Sequence, residues 1–160
     1  MRIIFILIIS FFLIHSCQKE SDENKKDLLL NINHINRLEL KTIDDRCGEW
    51  GGDETRLIVY RDDLNGSLLA DYFEKTACYD GNKSKIIKSI KRLKITNEEQ
   101  KLIIGSITEL CEKKLNRQDI PSHSGRFNQI MLSDSSMIIS DFPSIELKNF
   151  KELSQEIKQK

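Results

Sequence analysis

The sequence lacks an excess of charge of either sign. Its 25 lysine and arginine residues balance 25 aspartate and glutamate residues, so the formal net charge is +0 at pH 7. A protein that attracts nucleic acid or another polyanion through its overall charge needs a marked basic excess. We therefore expect no nucleic-acid partner.

Signatures of catalysis and of metal binding are also missing. Neither His34 nor His123 lies in a His-Glu-x-x-His motif or in another metal-binding spacing. The run Ser122-His123-Ser124 has no Gly-x-Ser-x-Gly turn that would present a serine nucleophile. The acidic residues do not follow the alternating pattern of a calcium loop. These absences predict a non-enzymatic protein without a metal or a cofactor.

The longest apolar run covers residues 3–14 and is too short to span a bilayer comfortably. Such a run near the start of a chain is typical of the core of a signal peptide. The motif Leu13-Ile14-His15-Ser16-Cys17 resembles the lipobox of bacterial lipoproteins. This resemblance implies that residues 1–16 are removed as a signal peptide and that Cys17 becomes the lipidated first residue. An ordinary secretory signal or a short uncleaved anchor is the alternative.

A lipidated Cys17 implies a membrane partner and a location in the cell envelope, as an outer-membrane lipoprotein. Residues 17–31 are predicted to form a flexible tether, because the polar stretch 18–27 has little apolar surface to bury. The acidic residues soon after the cysteine also resemble the surface-export tethers of some Gram-negative lipoproteins. A solvated linker on the periplasmic side is the alternative. Residues 32–160 would then form a single α+β domain.

Alternation of apolar and polar residues predicts the first strands. Residues 35–43 place Leu38 and Leu40 on one side, which indicates a half-buried strand. The glycine-rich and acidic residues 44–53 predict a loop. The consecutive apolar residues within 56–61 predict a central strand that is buried on both faces.

The dipeptide Asn65-Gly66 predicts a two-residue type I′ hairpin, because both central residues of that turn need positive φ. In this register Tyr60 lies opposite Asp71, and Leu57 lies opposite Glu74.

The second half of the chain combines helices with another hairpin. Residues 83–95 fit either a helix or a strand, and we favour the strand. Thr96-Asn97-Glu98-Glu99 is a capping box that predicts the start of a helix. Residues 127–132 and 137–139 predict a second hairpin. The buried faces of the two predicted amphipathic helices carry Ile103, Ile104, Ile107, Leu110, Cys111, Leu147, Phe150, Leu153 and Ile157. The sequence therefore predicts an α+β fold in which an antiparallel sheet built from hairpins packs both helices on one face.

Four cysteines are present, and Cys17 is assigned to the lipid anchor. Export favours disulfide formation. We predict a disulfide between Cys47 and Cys78, because the expected hairpin register brings Cys78 opposite Asp53. Cys111 lies on the apolar stripe of a helix, so we expect it to be a free thiol. No Cys-x-x-Cys spacing indicates a redox function.

The candidate binding loop contains Glu49, Trp50, Asp53 and Glu54. Tryptophan offers a large flat contact surface, and the neighbouring glycines allow the loop to adapt to a partner. The alternative is a tight acidic turn whose tryptophan packs over the disulfide and the edge of the core. A second feature is the basic cluster within residues 83–94, which predicts a solvated face or a contact with anionic lipid headgroups or cell-surface polymers.

These features favour an exported, membrane-anchored binding module that contacts an envelope protein or ligand. A narrower version is an inhibitor or immunity-type protein that blocks an envelope hydrolase. Two further alternatives are an envelope hydrolase that uses Asp53, Glu54 or His123, and an assembly subunit that uses Cys111 or an exposed strand.

Overall fold

A computed structural model gives the fold of this chain. It describes residues 28–45, 52–63, 66–77, 85–117 and 124–160.

Within these ranges the chain forms six strands and two helices. They are β1 (Leu38–Asp44), β2 (Asp53–Arg61), β3 (Leu68–Thr76), β4 (Lys85–Lys94), α1 (Asn97–Asn116), β5 (Arg126–Leu132), β6 (Ile138–Ser144) and α2 (Lys148–Gln159). The strands form one sheet in the order β4-β3-β2-β1-β5-β6, and all neighbouring strands are antiparallel. The α+β class predicted from the sequence is confirmed.

The sheet grows in two directions from β1. Strands β1 to β4 follow one another as a meander, because each pairs with the next in the chain. Helix α1 then carries the chain from β4, at one edge, to β5, which pairs with the other side of β1. Strand β6 completes the sheet by pairing with β5. Two strands that are distant in sequence therefore enclose β1.

The hydrophobic core is a cluster of buried residues from the sheet and from both helices. Leu38 and Leu40 of β1 are buried and pair with Val59 and Leu57 of β2, whose side chains are also buried. Removing a leucine side chain of this kind from water stabilises the fold by roughly 1.5–3 kcal/mol. The same cluster contains the buried helix residues Ile103, Leu110, Phe150, Leu153 and Ile157. It also contains Leu29, so the packed part of the chain starts ahead of residue 32.

The predicted register of the β2–β3 hairpin is wrong by two residues. Leu57 pairs with Tyr72 and not with Glu74, and Tyr60 pairs with Leu69 and not with Asp71. The reason is the turn. Gly66 N donates to the Asp63 carbonyl oxygen at 3.0 Å, so the turn closes between Asp63 and Gly66 and not between Leu64 and Ser67.

A shift of two residues keeps every side chain of β3 on its predicted face, because the side-chain period of a strand is two.

Residues 85–94 form a strand, which confirms the preferred interpretation of this stretch over the helical one. The pairing of β4 with β3 is irregular at two places, between Ala70 and Tyr72 and between Glu74 and Lys75. Arg92 lies at the first irregularity with a φ of 56°. Extra residues at such points bend the strand and redirect side chains.

The capping box predicted for α1 is confirmed. The Thr96 hydroxyl accepts a hydrogen bond from Glu99 N at 3.2 Å, and the Glu99 carboxylate accepts one from Thr96 N at 2.8 Å. Glu99 is buried, and its second carboxylate oxygen accepts a hydrogen bond from the Lys160 ammonium group at 2.7 Å. The start of α1 is therefore tied to the end of the chain.

The predicted closing helix, α2, is also confirmed, with Phe150, Leu153 and Ile157 buried. Its N-terminus has no side-chain cap of its own. Instead, the Glu109 carboxylate of α1 accepts hydrogen bonds from the backbone amides of Lys148 and Asn149 at 3.0 and 3.3 Å. A negative charge at this end also matches the helix dipole.

Neither helix of the described residues has the length and apolar character needed to cross a membrane.

We expect Thr96→Ala to lower the free energy of unfolding by about 1 kcal/mol, because one amide at the start of α1 loses its hydrogen-bond acceptor. The matched control is Thr108→Ala. Thr108 is an exposed threonine of the same helix whose hydroxyl bonds the Ile104 carbonyl oxygen. Urea denaturation of both variants measures the difference. Equal losses in the two variants would contradict the capping assignment.

Candidate binding cleft at one end of the sheet

Both end residues of the predicted loop 44–53, which contains most of the candidate binding residues, lie in strands. Asp44 is the last residue of β1 and Asp53 is the first residue of β2, and the two are paired in the β1–β2 ladder. The prediction that residues 44–53 form a loop throughout is therefore wrong at both ends. Backbone pairing of the strands continues further than the acidic composition indicated. The connection between β1 and β2 is limited to residues 45–52.

The base of this connection is held firmly. Asp45 N donates to the Gly125 carbonyl oxygen at 3.1 Å, and Gly125 N donates to the Asp45 carboxylate. Gly52 is buried, and a Cβ atom at this position would overlap the Asp44 carbonyl group. Only glycine fits such a close backbone approach. The two end residues of the loop, Asp45 and Gly52, therefore lie against the start of β5 and the end of β1.

A cleft of about 260 Å³ lies beside these two end residues, between the end of the sheet and α2. Two of its lining residues, Leu147 and Phe150, are apolar, and the others are polar or charged. It is lined by Thr42, Asp44, Asp53, Thr55, Arg126, Glu146, Leu147, Phe150, Lys151, Ser154, Gln155 and Lys158.

One wall of the cleft carries charges of alternating sign. The Arg126 guanidinium contacts the Asp44 carboxylate at 3.0 Å and the Glu146 carboxylate at 3.3 Å. Glu146 also contacts the Lys151 ammonium group at 2.7 Å. The hydrogen bond from Lys151, assisted by Arg126, holds the pKa of Glu146 below its ordinary value. This wall therefore presents a fixed series of opposite charges at neutral pH.

Two further cleft residues, Asp53 of β2 and Lys158 of α2, contact side chains of β3. The Asp53 carboxylate accepts a hydrogen bond from the Thr76 hydroxyl at 2.5 Å. The Glu74 carboxylate accepts one from the Lys158 ammonium group at 2.6 Å. Tyr72 is fully buried below these groups, and burial raises the pKa of its phenol well above the ordinary value. Its hydroxyl group therefore stays protonated.

Asn128 is a fully buried polar side chain behind the cleft. It accepts a hydrogen bond from the Thr42 hydroxyl at 2.8 Å, and it donates to Ser144 Oγ at 2.9 Å and to the Ile145 carbonyl oxygen at 2.8 Å. A buried amide with these partners satisfied links β1, β5 and the segment that leads into α2. One of these partners, Thr42, lines the cleft.

The structure separates Asp53 and Glu54, the two acidic residues of the candidate binding loop that it describes. Asp53 and Glu54 are neighbours in β2, so their side chains point to opposite faces of the sheet. Asp53 lines the cleft, whereas the Glu54 carboxylate contacts Arg56 at 2.5 Å and Lys75 at 3.1 Å. Two carboxylates on opposite faces do not converge on one substrate.

Several predicted site residues lie outside the described part of the chain. They are Cys17, Cys47, Glu49, Trp50, Cys78 and His123. Cys111 is half-buried and is a free thiol. Among the described residues, no group of three or more histidine, cysteine, aspartate or glutamate side chains is arranged to hold a metal ion.

The cleft residues that sequence reasoning missed include Arg126, Glu146 and Gln155. They come from β5, from the segment after β6 and from α2, and no spacing in the sequence connects them. The sequence indicated only one part of the cleft: Phe150, which was predicted for the buried stripe of α2, is one of the residues that line it.

The Glu54 cluster predicts a pH dependence of stability. Burial raises the pKa of Glu54, but hydrogen bonds and charge interactions with Arg56 and Lys75 outweigh it and hold the pKa below the ordinary value of 4.5. The cluster therefore stabilises the fold above this value, and the contribution is lost as the pH falls through the lowered pKa.

We expect Glu54→Gln to lower the free energy of unfolding by about 0.5–1 kcal/mol near neutral pH, because the ion pairs are partly exposed. The difference from the native protein should shrink as the pH falls below 4.5. Denaturant titrations across this pH range measure it. Glu39→Gln is the control, since Glu39 contacts Arg56 only at 3.8 Å. A difference that stays constant with pH would contradict the assignment.

The chain was compared with known proteins. No protein-family model matches it, and no curated protein sequence is significantly similar to it.

Proposed function

We propose that this protein is an exported lipoprotein, anchored in the cell envelope through Cys17, whose folded part binds an envelope protein or ligand at the cleft. In this proposal the protein is a non-enzymatic binding module. The loop between β1 and β2, which includes Trp50, supplies the outer part of the binding surface, and the charged cleft supplies the inner part.

The observation that carries this proposal is the place where the loop attaches. Its first residue, Asp45, directly follows the cleft residue Asp44 of β1, and its last residue, Gly52, directly precedes the cleft residue Asp53 of β2. Asp45 is held by a backbone hydrogen bond to Gly125, and Gly52 lies close against the backbone of Asp44. A loop with a fixed base loses less conformational entropy when a partner binds. The loop and the cleft can therefore act as one surface.

The direction in which the described chain enters the sheet supports the same assignment. The chain enters β1 at Leu38, and the cleft lies at the other end of this strand, beside Asp44. Seven residues of antiparallel strand span roughly 20–24 Å. The cleft therefore lies at the end of β1 opposite to the end at which the described chain enters this strand, so that an anchor ahead of β1 would leave the cleft accessible.

The proposal also includes the arrangement of the helices. We expect α1 and α2 to cover the same face of the sheet, as the sequence predicted. In support of this, buried residues of both helices belong to the cluster formed by Leu38, Leu40 and Leu57. The two helices also approach closely, since a Cβ atom on Gly105 of α1 would collide with the Asn149 side chain of α2.

An inhibitor or immunity-type protein is a narrower form of this proposal. The fixed loop base favours it, because a loop whose two ends are held in place loses less entropy when it enters the cleft of a hydrolase. The acidic Glu49 and the aromatic Trp50 would then be the inserted residues.

Lipidation is tested by Cys17→Ser. We expect this change to abolish labelling with a fatty-acid probe and to release the domain from the membrane fraction, because the thiol that carries the lipid is gone. Cys111→Ser is the matched control and should keep both properties. Continued labelling of the Cys17→Ser variant would disprove the anchor.

The binding surface is tested by Trp50→Ala and Gln155→Arg. Gln155 is an exposed residue that lines the cleft, so a longer charged side chain should obstruct binding without unfolding the protein. Truncating a central aromatic contact commonly costs 2 kcal/mol or more, about a 30-fold loss of affinity. We expect both variants to lose the partner that the native chain captures in cross-linked envelopes.

The control for this experiment is Ile35→Ala, which changes an exposed apolar residue (73% exposed) just before the first strand, away from the cleft. It should leave capture unchanged. If Trp50→Ala and Gln155→Arg both retain the partner at native yield, the cleft and loop are not the binding surface.

A further inference from the structure

We propose that the β4 edge, defined as residues 85–94, is a contact surface for an anionic lipid bilayer. This inference goes beyond the proposed function, because it concerns a second surface and a different partner. Strand β4 is an outermost strand of the described sheet. It contains five basic residues and no acidic one.

The β4 edge also exposes two large apolar side chains. Ile86 is 65% exposed and Ile87 is 58% exposed. Ile86 pairs with Lys75, whereas Lys88 pairs with Glu74, so Ile87 is an extra residue in the ladder. The irregular pairing therefore turns two consecutive isoleucines towards solvent, which regular alternation would not do.

Cations are distributed along the whole strand, and several of them remain exposed. Lys85 and Lys94 have no acidic partner among the described residues. Arg92 contacts the Asp62 carboxylate at 2.5 Å but is still 64% exposed. Lys91 is 66% exposed, and its distance from the Asp71 carboxylate is 3.9 Å. Acidic neighbours thus leave most of the positive charge of the strand accessible.

This combination fits a bilayer surface better than it fits plain solvation. Lysines on an edge strand commonly serve to prevent strand pairing, and that purpose requires no exposed isoleucines. At a membrane interface, apolar side chains enter the boundary between headgroups and acyl chains, while lysine ammonium groups reach anionic phosphates. A second copy of this strand would instead bring like charges together. Charge complementarity therefore selects an anionic lipid surface.

The length of chain ahead of the described residues limits how far the proposed anchor can lie from the sheet. The chain between Cys17 and Leu28 spans at most about 35–40 Å when it is fully extended. Contact along β4 would lay the sheet on its edge, because this strand runs along one side of the sheet. The cleft at the end of β1 would then open parallel to the membrane, towards a partner on the same surface.

The test uses the full-length lipidated chain in vesicles of phosphatidylcholine, either alone or with about 30% phosphatidylglycerol. Hydrogen–deuterium exchange of residues 85–94 is measured by mass spectrometry. We expect exchange to slow by about fivefold or more in the anionic vesicles only, since the free amides of an outermost strand are otherwise open to solvent. About 0.5 M NaCl should remove the protection, because it screens surface charges.

Two double variants separate the charged and apolar contributions. Lys85→Gln/Lys94→Gln and Ile86→Ser/Ile87→Ser should each lose most of the protection while the melting temperature stays the same, because these side chains are exposed. Lys101→Gln/Lys114→Gln removes two exposed lysines from α1 and should keep the protection.

Equal exchange in both kinds of vesicle would overturn the proposal, as would unchanged protection in both β4 variants. Protection that appears in detergent and rises with protein concentration would identify a second copy as the partner, and it would also overturn the proposal. Failure of the lipid anchor is a separate result. It would appear as a chain that does not float with pure phosphatidylcholine vesicles, whatever β4 does.

Discussion

The structure depends on the pairing of β1 along both of its edges. Leu38 pairs with Val59 on one side and with Leu132 on the other. At the far end of the strand, Asp44 pairs with Asp53 and with Arg126. Because both edges are occupied, the backbone groups of β1 are satisfied within the sheet, and its apolar face is free to form the centre of the core. Helix α1 is the connection that makes this possible, since it carries the chain across the sheet to β5.

The same pairing creates the cleft. It brings the end of β1 and the starts of β2 and β5 together at one end of the sheet, where residues of α2 complete the cleft. Asn128 stabilises this arrangement, because a buried amide that lost its partners would cost about 1–3 kcal/mol. The charges of the cleft are largely paired with one another, as in the contacts of Arg126 with Asp44 and Glu146. The cleft therefore presents an ordered pattern of charges and not an excess of one sign.

The β4 edge and the cleft are separate surfaces of the sheet. The anchor precedes the sheet in the chain, the β4 edge lies along one side of the sheet, and the cleft lies at the end of β1. Electrostatics distinguish the two surfaces, since β4 carries cations without acidic residues, whereas the cleft alternates its charges. One surface is thus suited to an extended anionic layer and the other to a partner with a specific arrangement of polar groups.

Local signals in the sequence determined most of the elements. The capping box of Thr96 and Glu99 and the alternation around Leu38 each depend on residues that are close together in the chain. The hairpin register differed by two residues, because turn closure by Asp63 and Gly66 replaced the predicted turn. Only the tertiary structure placed β5 beside β1, and Arg126 beside Asp44, across a separation of 82 residues. Such pairings follow from the packing of the whole core, which no local pattern of residues encodes.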